Sequence, residues 1–387
     1  MLMRRAGAAA VIVAVALTAW IIVPAVVASS NDSLTARVAE SARDKGFGFV
    51  VTGLEAVQYR LDPPTTGGTL DASAQQSMAA DAGSSGPGKA AATSSAGRPR
   101  RPATSAAGYP PVAIQPRLAV LASPGLPGEG VFVARVVVGG QPAVQTALLR
   151  PDAVHTSYLA GVAWMSSRLV RFEQHPGSAD PGDLGRWNEP ASIPTTRRAG
   201  LVATFNSGFK IADARGGFYQ DGHTVGGLEP GAASFVVYAD GHVDIGAWWR
   251  EVSMTPQVSS VRQNLGLLVD GGRLSSRINA DTQSTWGATL GGDAFVWRSG
   301  VGVTSSGDVV FAMGPALSAR TLAVLLQRAG AVRAMELDIN PEWVSYMWYS
   351  GSSSGSSLLP HKLLDFARPA DRYFTVNSRD FFAVYSR

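Results

Sequence analysis

The chain has 387 residues, with 33 Lys and Arg against 29 Asp and Glu, a formal charge of +4 and no cysteine. The lack of cysteine excludes disulfides, a Cys nucleophile and thiolate metal sites, so stability must come from packing. The basic residues are mostly Arg and are scattered, with no basic face backed by aromatic or helical support, so nucleic acid is excluded as a partner.

Residues 6–28 form an almost unbroken apolar run preceded by Arg4 and Arg5. Its length predicts a transmembrane helix, and the positive flank places the N-terminus in the cytoplasm and the rest outside. The expected location is therefore the cell membrane, single-pass, with the C-terminal domain extracytoplasmic. The alternative is secretion after cleavage of a signal peptide near Val26-Val27-Ala28. Residues 31–60, with Leu34, Val38 and Ser41 at weak helical spacing, read as a stalk. Residues 62–108 are Ala, Gly, Ser, Thr and Pro with almost no large apolar side chains. Such a stretch buries too little surface to offset its ordering entropy and reads as a disordered linker. The chain thus divides into an anchor or signal at 1–30, a stalk and low-complexity linker at 31–110, and a folded domain at 111–387.

Within the domain, apolar runs separated by turn dipeptides predict hairpins. The first joins residues 131–138 to 143–149 through Gly139-Gly140. Residues 235–238 and 242–245 turn at Asp240-Gly241, a pair suited to a type I′ turn. Residues 301–303 and 309–311 turn at Ser306-Gly307, and Asp270-Gly271-Gly272 marks another turn. Leu322, Leu325, Leu326 and Ala329 predict a helix capped by Ser318 and stopped by Gly330, with a strand over 332–337 after it. Two more strands are expected at 373–376 and 381–385. The predicted class is α+β, a mixed, largely antiparallel twisted sheet with packed helices.

Two segments place polar side chains at the ends of apolar runs. One is Phe205-Asn206-Ser207-Gly208-Phe209-Lys210, the other Met335-Glu336-Leu337-Asp338-Ile339-Asn340. Buried strands carry such groups where they are paired or face a cleft. Glu336 and Asp338 share strand parity, which sets them ~6.6 Å apart at ~3.3 Å per residue. That falls near the lower end of the ~6.5–9.5 Å between the carboxyls of inverting glycosidases. Glu342, after a Pro341 turn, is a third candidate acid. The competing reading pairs these acids with Arg333 or another Arg, or sends them into water. Asn206 and Ser207 offer donors and acceptors toward sugar or phosphate, Gly208 allows close backbone approach, and Lys210 adds a cation. The alternative there is a turn in which Asn206 bonds its own backbone. Arg298 suits bidentate phosphate or carboxylate recognition, or else pairs with Asp293. Asn340 belongs to the same loop, and Trp343 and Trp348 are candidate sugar platforms. His223, in a Gly-rich loop, has no metal-ligand spacing around it. No Walker, dinucleotide or nucleophile-elbow motif stands out. No metal and no cofactor is expected.

The order of these motifs resembles the phosphodiester glycosidase family, the N-acetylglucosamine-1-phosphodiester alpha-N-acetylglucosaminidase-like domains. Asn206-Ser207-Gly208-Phe209-Lys210 is similar to the family's Asn-Gly-Gly-Phe-Phe turn. Leu268-Val269-Asp270-Gly271-Gly272 is similar to its Asp-Gly stretch, and Arg298-Ser299-Gly300-Val301-Gly302 to its Arg-Thr-x-x-Gly strand. Glu336-Leu337-Asp338 follows a helix, as the family's Leu-Asp-Gly-Gly-Gly-Ser does. The resemblance spans roughly residues 200–345. It departs where Ile339-Asn340-Pro341-Glu342 replaces Gly-Gly-Gly-Ser, where Ser207 replaces Gly and where Lys210 replaces Phe. The resemblance implies a hydrolase of a sugar–phosphodiester linkage in the cell envelope. Asp338 would then be base or charge stabiliser, with Asn206 and Arg298 orienting sugar and phosphate. The alternative is a non-catalytic envelope polysaccharide-binding or assembly module on the same fold. The expected partners are a sugar phosphate or envelope polysaccharide, and the membrane through the N-terminal helix.

Overall fold

The computed structural model describes residues 19–27, 34–42, 45, 63–84, 110–279, 285–287, 295–351 and 358–387. Strands close through short turns into three sheets, and every strand pairing within them is antiparallel. The largest runs β1 (Val133–Val138), β2 (Gln141–Leu149), β3 (Ala160–Met165), β14 (Val309–Leu317), β13 (Val296–Thr304), β15 (Ala331–Glu336), β11 (Leu267–Asp270), β12 (Arg273–Leu274). A second has the order β7 (His223–Val225), β6 (Phe218–Gln220), β10 (Val258–Gln263), β8 (Ala233–Tyr238), β9 (Val243–Ala247). The third has β17 (Leu359–Lys362), β16 (Tyr346–Ser350), β5 (Leu201–Asn206), β18 (Phe381–Ser386), β4 (Val170–His175).

The period of two decides what each face covers. In β14, Val309, Phe311 and Met313 join the core shared with the other two sheets. Val310 and Ala312 point the other way, to a smaller core under a helix. That helix is α3 (Ala319–Arg328); α1 (Leu34–Ala42) and α2 (Ala72–Ser84) precede the domain. Ser318 caps α3: its Oγ accepts from Thr321 N at 3.1 Å while Thr321 Oγ1 accepts from Ser318 N at 2.7 Å. Leu322, Leu325 and Leu326 are fully buried on the sheet, each stabilising by ~1.5–3 kcal/mol. Gly330, at φ +99°, ends the helix and turns the chain into β15.

The α+β expectation is corrected by this architecture. Among the described residues of the domain, α3 is the one α-helix of two turns or more, and the sheets are antiparallel rather than mixed. Sequence-adjacent runs joined by dipeptide turns fold back on each other, which leaves little chain for helical crossovers. Residues 373–376 are not a strand either. Arg372–Phe374 is a 3-10 turn that sends Tyr373 inward to stack on Phe381, ring centres 4.3 Å apart.

The transmembrane helix expected over 6–28 is also corrected. Among the described residues no helix is long and apolar enough to cross a membrane. Residues 19–27 are helical, and the rest of the run lies outside the described residues.

The disordered linker is corrected where it is described. Gly67 N donates to Val154 O at 2.7 Å, and Thr156 Oγ1 donates to Gly68 O at 2.8 Å. Leu70 and Met78 are buried, and Asp81 on α2 pairs with Arg135 on β1. Composition misjudged this stretch because two apolar side chains suffice to seat a segment whose backbone is also bonded. Residues 85–109 lie outside the described residues.

Candidate functional site

The ends of β5, β13 and β15 meet in one hydrogen-bond network. Asn206, the last residue of β5, donates from Nδ2 to Ser299 Oγ and to Ser207 O, both at 2.9 Å. Its Oδ1 accepts from Ser345 N at 2.9 Å. Ser299, in β13, donates from Oγ to Asp338 O at 2.8 Å and from its backbone N to the same carbonyl at 3.1 Å. Asp338 N donates to Ser207 O at 3.1 Å. The Asn-Ser-Gly turn, the Arg-Ser-Gly strand and the Leu-Asp segment therefore hold one another.

Asp338 lies two residues beyond β15. Its Oδ1 accepts from Ile339 N at 2.8 Å and Asn340 N at 3.1 Å, and its Oδ2 from Arg379 Nη2 at 3.2 Å. Arg379 also donates to Gly208 O at 3.2 Å, stands 3.6 Å from Asp180 and lies over the Trp343 ring at 5.3 Å. Beside it, Asp380 accepts from Arg262 Nε at 2.8 Å, both side chains fully buried. Asn264 ties the second sheet in: it accepts from Phe209 N at 3.2 Å and donates to Glu336 O at 2.9 Å. A Cβ at Gly208 would stand 3.0 Å from Asn264 Cγ. Close approach, not positive φ, is why glycine sits there.

Arg298 and Glu336 form an ion pair at 2.5 Å with neither side chain exposed. Arg298 Nε also donates to Leu317 O at 2.9 Å. Burial pushes the Glu336 carboxyl up to about 7, against the pull of Arg298 and with a further push from Asp338. Its Oε2 has no hydrogen-bond partner. Glu342 is partly exposed, 3.8 Å from Arg368, and its N donates to Asn340 Oδ1 at 2.9 Å. Lys210 is half-buried, while Trp343 is buried and Trp348 stacks on His361 at 3.9 Å. His223 is exposed, edge-on to Trp187.

The structure thus brings Asn206, Ser207, Gly208, Arg298, Glu336 and Asp338 together, with Asn340 and Trp343 around Asp338. Glu342 points instead toward the C-terminal segment through Arg368. Arg379, Asp380, Arg262 and Asn264 were missed by the sequence reading. Arg379-Asp380 stands at the start of an apolar strand, the same signal that marked Asn206, read at the opposite end. Among the described residues, Glu173, His175 and Glu189 bring ligand atoms within 4.8 Å of one another, a grouping with the chemistry to hold a metal.

A cavity of about 570 Å³ is lined by Arg215, Glu229, Arg250, Leu265, Asp270 and Trp286, among others. Asn206, Ser299 and Asp338 do not border it. Leu265 is shared, since it packs with Phe209 and Ile339, the sequence neighbours of Gly208 and Asp338.

No protein-family model and no curated protein matches the chain. Among solved structures it is similar to the catalytic domain of zebrafish N-acetylglucosamine-1-phosphodiester alpha-N-acetylglucosaminidase, auto-inhibited by its pro-peptide. That match has a TM-score of 0.41 and 16% identity over 66% of this chain and 88% of that one. A hypothetical protein from Synechocystis matches at TM-score 0.34 and 11% identity, over 72% and 69%. A protein from Burkholderia pseudomallei described as exported matches at 0.26 and 12%, over 59% and 74%. These are distant fold relationships only.

Proposed function

We propose that the domain is a hydrolase of a glycosyl–phosphate linkage, acting on a sugar phosphodiester outside the cytoplasm. One observation carries the reading: Asn206, Ser299 and Asp338, from three separate segments resembling the phosphodiester glycosidases, lie in a single network. Asp338 is a carboxylate held by two backbone N–H groups and an Arg, with a small exposed fraction. It serves as base or as stabiliser of an oxocarbenium-like transition state. A phosphate leaving group needs little protonation, so a second strong acid is not required.

The other roles shift from those the sequence assigned. Both N–H bonds of Asn206 and its carbonyl oxygen are used within the protein, so it positions the network and does not bind sugar. Arg298 and Glu336 are sealed inside and act on Asp338 from behind. Substrate contact falls to Arg379, Lys210, Asn340 and Trp343. Arg379 provides the cation for the phosphate. The purified protein should release sugar from a synthetic glycosyl phosphodiester, and Asp338→Asn should abolish the release.

A second reading, a non-catalytic polysaccharide-binding module, is favoured by the engagement of both Asp338 oxygens and by Ile339-Asn340-Pro341-Glu342 in place of a Gly-rich turn. Retention on envelope polysaccharide with no turnover of the phosphodiester would select it.

A further inference from the structure

β4 is the edge strand of the third sheet, and its alternation divides it. Phe172 enters the core, while Arg171, Glu173 and His175 share the other face. Across the ladder they stand opposite Tyr385, Ala383 and Phe381 of β18. Phe381 stacks flat on the His175 ring, 4.7 Å between centres and 10° between planes. Ala383 stands opposite Glu173, and the chain returns past this face with Glu189 and Pro190.

His175 Nδ1 lies 2.9 Å from Pro190 O, so Nδ1 carries the proton and donates it to the carbonyl. Nε2 is then a bare lone pair. It is buried, has no hydrogen-bond partner, and stands 3.9 Å from Glu173 Oε2. A buried lone pair facing a carboxylate is repulsive unless a cation or a donor stands between them. Arg197 lies 3.2 Å from Glu173 Oε2 and pairs with Glu189 Oε2, and Arg171 pairs with Glu173 Oε1. These ion pairs neutralise the carboxylates but leave Nε2 without a partner. The Tyr385 hydroxyl, which feels Glu173 and Glu189, is a second buried polar atom with no hydrogen bond.

We propose that Glu173, His175 and Glu189 bind a divalent transition-metal ion, Zn²⁺ foremost, with the Arg197 side chain displaced toward solvent. The ring has the form of a ligating histidine, its Nδ1–H fixed by a backbone carbonyl and its Nε2 open. One imidazole and two carboxylates suit Zn²⁺, Mn²⁺ or Co²⁺ better than Ca²⁺ or Mg²⁺, which take oxygen ligands. Water or the Tyr385 hydroxyl completes the shell. Arg197 is 35% exposed, so it has somewhere to go. The ion ties the edge of the third sheet to the loop carrying Glu189. Asp180, which pairs with Arg379 of the candidate active site, lies earlier on the same connection between β4 and β5. The proposal does not rest on the glycosidase reading.

The test is ZnCl₂ titration of the full chain after chelator treatment, followed by calorimetry and by thermal melting. One equivalent should bind and raise the melting temperature. Glu189→Gln and His175→Gln should each weaken uptake at least about tenfold, as loss of a ligand does more than loss of the groups that orient one. Glu189 lies on a half-buried loop, so its variant keeps the test open if His175→Gln fails to fold. Arg197→Ala should bind Zn²⁺ more tightly, because its guanidinium competes for the same oxygens. No stoichiometric uptake by the unmodified chain would overturn the proposal. So would uptake that is unchanged in Glu189→Gln, or weakened in Arg197→Ala.

Discussion

Asn206 and Ser299, 93 residues apart in sequence, are joined by a 2.9 Å hydrogen bond from amide Nδ2 to hydroxyl Oγ. Ser299 passes the contact on to the main chain of Asp338 at 2.8 Å, so three strand ends from two sheets are fixed by one amide. Asn206→Ala should remove those donors and leave Ser345 N buried without its partner, while the Ser299 hydroxyl keeps its bond to Asp338 O. Such an orphan costs about 1–3 kcal/mol. A matching fall in denaturant midpoint with an unchanged m-value checks it. An unchanged midpoint would mean that the network does not constrain the fold.

Asp338→Asn separates chemistry from packing. An Asn amide oxygen can keep the bonds from Ile339 N and Asn340 N, while its NH₂ then faces the Arg379 guanidinium. The fold should therefore survive with a small loss of stability, while turnover of a glycosyl phosphodiester drops ~10²–10⁴-fold. Melting of the variant at ambient temperature would make Asp338 a structural acid and leave the binding-module reading in possession.

Much of this site was legible because burying a polar side chain at a strand end is costly unless it is paired. That rule picked out Asn206, Glu336 and Asp338 from sequence. It did not say which would be sealed and which would reach the surface. Arg298 could pair with Asp293 or bind a ligand as far as local sequence went; the 2.5 Å bond to Glu336 depends on β13 lying beside β15. Arg379 lies far along the chain from the other motifs and reaches Asp338 because β18 pairs with β5. Hairpins such as β8–β9 were readable because Asp240-Gly241 specifies them locally. The stacking of three sheets was not, since it depends on which apolar faces meet. The Glu173–His175 pair follows from strand parity, but Glu189 joins it through a loop whose path no local pattern fixes.

The Arg298–Glu336 pair gives a pH dependence with a definite sign. Burial raises Glu336 from 4.5 to about 7 in the folded chain. Between those values the native state keeps a proton that the unfolded state releases, so stability falls as pH rises through that window. With one pKa unit worth ~1.4 kcal/mol, a rise of that size makes the fall about 3 kcal/mol. Glu336→Gln removes the titrating group, so its stability should vary less over the same window. Urea melts of both proteins at several pH values between 4.5 and 7 make the comparison. Stability of the unmodified chain that climbs relative to Glu336→Gln would show that the Arg298 charge outweighs burial.

The N-terminal segment should stabilise the domain it docks on. Leu70 and Met78 are 4% and 1% exposed, and each buried apolar side chain of that size contributes ~1.5–3 kcal/mol. Asp81 adds an ion pair to Arg135, and Gly67 and Gly68 bond to the loop at residues 154–156. Ordering some twenty residues opposes these gains, at about 1–2 kcal/mol for each backbone unit fixed, so the net effect is much smaller than the sum of the contacts. A chain beginning at Pro111 should still fold, because the three sheets and α3 lie wholly beyond that point. It should melt several degrees below the longer chain, as a net loss of ~1–2 kcal/mol would produce in a domain of this size. Met78→Ala in the longer chain should account for part of the drop by leaving a cavity where its buried side chain packs. Equal melting temperatures for the two chains would return residues 63–84 to the role of a passive tether.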